Sequence, residues 1–122
     1  MQFLKAVNNG IAFEYHFEGN EPDKIKEVSD EFFFRKGFKN LGHFGNKTSY
    51  EKGSRIQRIL FGAFVSYHKH ELLYLVSENK LTVKLLNGSS GMSGGLIGMK
   101  AVKAEFNRTA ENLEVFYQTE VK

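Results

Sequence analysis

Three groups of residues in this sequence have the types and spacing to do chemistry. The first is the stretch Gly88-Ser-Ser-Gly-Met-Ser-Gly-Gly-Leu-Ile-Gly-Met-Lys100. Glycines ahead of a helix expose backbone N–H groups beside the positive end of the helix dipole, an arrangement suited to phosphate or carboxylate. Ser90 and Ser93 would add donors, Gly94, Gly95 and Gly98 open backbone, and Lys100 a charge. The spacing matches neither G-x-x-x-x-G-K-[ST] nor G-x-G-x-x-G, so these six residues are a candidate anion site without a full motif. The alternative is a plain connection whose glycines let a helix pack close to a sheet.

The second group is a basic stretch. Residues 35–58 hold Arg35, Lys36, Lys39, Lys47, Lys52, Arg55 and Arg58 against Glu51 alone, whereas residues 1–34 hold three Lys against seven Asp and Glu. The overall charge of +3 hides this asymmetry, which points to an anionic partner. Phe38, Phe44 and Tyr50 lie among the cations, and basic charge with aromatic rings is the combination that binds nucleic-acid backbones and stacks bases. No RNP, KH or helix-turn-helix pattern accompanies it, so nucleic acid is not the favoured partner. Surface lysines on strands also guard against edge-to-edge pairing.

The third group is the histidines His16, His43, His68 and His70. His68 and His70 flank Lys69 beside Glu71, but no H-E-x-x-H is present and the spacing resembles no common ligand pattern. No metal and no other cofactor is expected. The run from Tyr67 to Glu71 reads as a solvated loop, and His16, alternating with Tyr15 and Phe17, as solvent-facing. With no Cys and no G-x-S-x-G, nothing argues for nucleophilic catalysis.

The elements that must position these residues are those of one α+β domain spanning residues 1–122. The chain is long enough to bury a core without disulfides, and its 12 Phe with no Trp predict a core of phenyl rings. Asn9-Gly10 predicts a hairpin with a two-residue loop, pairing Ala6 with Phe13, Lys5 with Glu14 and Leu4 with Tyr15. Its apolar face would then be Leu4, Ala6, Ile11, Phe13, Tyr15 and Phe17. A helix over about 21–36 follows, with Pro22 in its first turn, Ile25, Val28 and Phe32 at helical spacing, and Gly37 as its stop. Short strands come next, at 38–44, 47–51, 72–76 and 81–86, while residues 55–67, of which 55–64 fit either helix or strand, match both templates and read as a short helical turn leading into a strand. A final helix over about 95–117 carries the stripe Leu96, Met99, Val102, Phe106, Ala110, Leu113 and Phe116 or Tyr117.

The predicted architecture is an antiparallel sheet of five or six strands covered by two amphipathic helices, in the order β-β-α-β(n)-α. That order resembles helix-grip sheets folded round a long terminal helix, a likeness of architecture that implies no activity. No export signal and no apolar run long enough to span a bilayer occur, so a cytoplasmic protein is expected. Three roles fit. The first is a non-enzymatic binding domain for an anionic or protein partner. The others are a carrier of a small hydrophobic ligand, and an enzyme using an anion site at the glycine-rich stretch. The sheet edges also offer a route to oligomers.

Overall fold

The computed structural model describes residues 1–8, 12–53, 67–88 and 96–121, with backbone alone for Tyr67 and residues 96–102. Six strands and two helices are present among them: β1 (Gln2–Asn8), β2 (Phe13–Glu18), α1 (Pro22–Arg35), β3 (Lys39–Phe44), β4 (Lys47–Gly53), β5 (Tyr67–Ser77), β6 (Lys80–Asn87) and α2 (Leu96–Glu120). The strands form one sheet in the order β1-β2-β6-β5-β4-β3, antiparallel at every pairing. The N-terminal hairpin thus docks on the last strand. α1 carries the chain from β2 to the opposite edge at β3. Among the described residues no helix is long and apolar enough to cross a membrane.

Strand alternation separates a wet face from a dry one. On the outer face Lys47 pairs with Glu71 at 3.0 Å and Lys84 with Glu14 at 3.9 Å. His16 lies 3.3 Å from Glu14 on the same side, half-buried among these charges. On the inner face Tyr15 and Phe17 of β2, Leu72 and Tyr74 of β5, and Leu81, Val83 and Leu85 of β6 are buried.

Both helices cover that inner face. α1 buries Ile25, Ser29, Phe32 and Phe33, and Gly37, at φ +85°, turns the chain out of it. α2 buries Phe106, Ala110, Leu113 and Tyr117, the described part of the predicted stripe, and runs three residues beyond its predicted end. The contact is made of rings: Phe33 stacks on Tyr50 at 4.1 Å, and Tyr117 meets Phe17 edge-on at 5.0 Å. Such geometries add to plain area burial. Three phenols of this core are engaged by donation, those of Tyr15, Tyr50 and Tyr117, whereas the buried Tyr74 hydroxyl has no hydrogen-bond partner among the described residues. Tyr15 donates to the Ala110 carbonyl at 2.7 Å. Ser29 spends its one proton on the Ile25 carbonyl, so at the 2.6 Å contact Tyr117 donates to Ser29. Burial pushes the Tyr117 phenol far above its ordinary pKa, which keeps that proton in place.

Two expectations need correction. The hairpin register lies two residues away from the predicted one: Asn8 opposes Phe13, Ala6 opposes Tyr15, and Lys5 faces His16 rather than Glu14. The ladder slips between Phe3 and Lys5, so Phe3 and Ala6 both turn inward while Leu4 is exposed. Docking of β2 on β6 fixes Tyr15 and Phe17 inside, and the edge strand accommodates with a bulge. The second correction concerns the run from Tyr67 to Glu71, which is the start of β5 and not a solvated loop. Residues 55–64, ambiguous in sequence, lie outside the described residues.

Candidate functional site

Where the end of α1, the end of β4, the start of β5 and the middle of α2 meet, the inner face opens into a cleft of about 290 Å³. Its position follows from register. Lys52 opposes His68 across the β4–β5 ladder, one step beyond the buried pair Tyr50 and His70, so Lys52 and His68 emerge where the core ends. Lys52 Nζ donates to the carbonyl of Lys36 at 2.9 Å. A cation there answers an unpaired carbonyl and the negative end of the α1 dipole.

From above, α2 presents Glu105, Arg108, Thr109 and Asn112, spaced three, four and seven apart and so on one face. Phe32 and Phe38 form the walls. Lys36 Nζ lies 5.8 Å over the Phe32 ring, and Lys52 Nζ lies 5.8 Å over that of Phe38. Among the described residues, no carboxylate is within ion-pair distance of Lys36, Lys52 or Arg108.

Glu105 is the carboxylate of the cleft, and its charge is already answered. Its Oε2 accepts from His70 Nε2 at 2.7 Å, its Oε1 accepts from the Thr109 hydroxyl at 2.7 Å, and His68 Nδ1 lies 3.6 Å away. Burial pushes the carboxyl up. The hydrogen bond and charge of His70, the Thr109 bond and the charge of His68 outweigh this and leave it below the usual 4.5. His70 is itself enclosed by rings, with centroids 5.3 Å from Phe38 and 5.8 Å from Phe106. Its Nδ1 has no hydrogen-bond partner among the described residues.

The sign of the pH dependence follows. A carboxyl whose folded pKa is depressed adds stability that is present above its unfolded pKa and lost as pH falls through the folded one. Glu105→Gln is therefore expected to cost about 1–2 kcal/mol near neutrality, with the difference from wild type shrinking as pH falls below the usual carboxylate value. Urea denaturation across that fall in pH measures it, and a constant difference would contradict the pairing.

The residues singled out by sequence are dispersed. Ser90, Ser93, Gly94, Gly95, Arg55 and Arg58 lie outside the described residues, while Gly98 and Lys100 fall in the opening turns of α2. Of the basic stretch, Lys36 and Lys52 share the cleft. Arg35 is 2.7 Å from Glu31, Lys47 is on the outer face, and Lys39 is exposed at the start of β3 opposite Glu51. Sequence reasoning missed His68, His70, Glu105 and Arg108 as members of one site. The usable signals were the two-residue spacing of the histidines, which puts both on one face of a strand, and the helical spacing of Glu105 and Arg108. Among the described residues no group of three or more His, Asp and Glu side chains is arranged to hold a metal ion. Compared with protein-family models, with curated proteins and with solved structures, the chain matches none.

Proposed function

We propose that this protein is a cytoplasmic, non-enzymatic binding domain whose cleft takes a small anionic ligand on Lys36, Lys52 and Arg108. The observation that carries this reading is the convergence of three cations, with no carboxylate partner among the described residues, on a cleft whose own carboxylate is held by His70 and Thr109. An anion there would meet charge-assisted hydrogen bonds in a site walled by phenyl rings, where reduced access of water strengthens each of them.

Calorimetric titration with pyrophosphate tests it. Binding is expected at low ionic strength and should weaken several-fold at about 0.3 M salt, where screening acts within a few ångströms. Lys52→Gln, which keeps a donor for the Lys36 carbonyl but removes the charge, and Arg108→Ala should each weaken binding about five- to tenfold. Lys39→Ala, away from the cleft, should leave it unchanged. Absence of binding at low salt would remove the proposal.

A further inference from the structure

The cleft continues into a second cavity. A groove of about 460 Å³ runs between α1 and α2 and shares Phe32, Lys36 and Asn112 with the cleft. Its floor is apolar: the Phe116 ring lies 5.4 Å from that of Phe32, and Val115 is 60% exposed beside it. Two of the polar groups along it are engaged. The Thr119 hydroxyl donates to the Val115 carbonyl at 3.0 Å, and Arg35 lies over Phe116 while paired with Glu31. Glu120 stands in the same groove.

Resting on the reading of the cleft as an anion site, we propose that cleft and groove form one site for a monomeric anionic amphiphile. The phosphate or carboxylate head sits among Lys36, Lys52 and Arg108, and an unbranched alkyl chain lies along Phe116 and Val115. Charge complementarity fixes the orientation: Lys52 and Arg108 line the cleft alone and Lys36 stands where it meets the groove, while in the groove Arg35 is already paired with Glu31 and Glu120 stands beside it.

The test compares butyl phosphate, octyl phosphate and the neutral octyl glucoside, each below its micellar concentration, by calorimetry. A methylene that buries about half its surface should tighten binding about twofold, so octyl phosphate, with four more, should bind about fifteenfold tighter than butyl phosphate. Octyl glucoside should bind more weakly than either. Val115→Asn, a neutral surface change, should abolish the advantage of the longer chain, and Lys52→Gln should weaken both phosphates. Equal, Lys52-dependent affinity for the two phosphates would overturn the amphiphile site and leave the anion site standing. No binding of either phosphate, nor of pyrophosphate, would overturn both. Octyl glucoside binding as tightly as octyl phosphate would overturn the amphiphile site, as would attachment to phosphatidylglycerol vesicles without binding of free octyl phosphate.

Discussion

Phe33→Ala is expected to destabilise the protein by about 3–5 kcal/mol, the range for truncating a fully buried phenyl ring. Phe33 has no exposed surface, stacks on Tyr50 and meets Phe32 and Phe38 edge-on at 5.1 and 5.2 Å. It is the ring through which α1 grips β4, so its loss leaves a cavity whose walls belong to different elements and cannot easily collapse. Against a total stability of about 5–15 kcal/mol this is a large fraction, equivalent to a fall in Tm on the order of 10–20 °C. The adjacent Phe34 supplies the control. It is 76% exposed, and Phe34→Ala should change stability by less than about 0.5 kcal/mol. Thermal and urea denaturation of the two variants would measure both, and equal losses would contradict the assigned helix face.

Glu105→Ala should cost about 2–4 kcal/mol, because it strands His70 in a ring-lined pocket without the acceptor for its Nε2. His70→Phe should be costly for the reciprocal reason, leaving a carboxylate that is only 15% exposed without its main donor. Removing both polar partners is a different matter. In His70→Phe/Glu105→Leu neither group is left unsatisfied, so the double variant should recover a substantial part of the summed losses. A double-mutant cycle by urea denaturation is expected to give a coupling of about 1–3 kcal/mol. Strict additivity would mean that the two side chains do not act as a pair.

The same pair shows where sequence reasoning reaches its limit. Both helices are legible because each carries its own evidence, with helical spacing of Ile25 and Phe32 or of Phe106, Ala110 and Leu113, and Gly37 where a positive φ is needed. β5 begins with the polar run His68, Lys69, His70, Glu71, which taken alone looks solvated. His70 is a core residue only because Glu105, 35 positions later, supplies its acceptor, and such a tertiary pairing leaves no local trace. The hairpin was legible in kind but not in register, since the Asn9-Gly10 turn signal competes with the docking of Tyr15 and Phe17 against β6. The basic stretch was legible as charge but not as a surface. Lys47 and Lys52 are five residues apart on β4, an odd spacing that places them on opposite faces of the sheet, and only Lys52 reaches the cleft.

If Lys36, Lys52 and Arg108 act together as an anion site, an amide-resolved NMR titration with pyrophosphate at low salt reads it most directly. Saturable shifts are expected, concentrated at Lys36, Lys52, His68 and Arg108 and reduced across the whole set by Lys52→Gln, with little change at Lys39 or Lys47. Saturable shifts centred instead on residues 88–100, or spread evenly over the lysines of the surface, would contradict it.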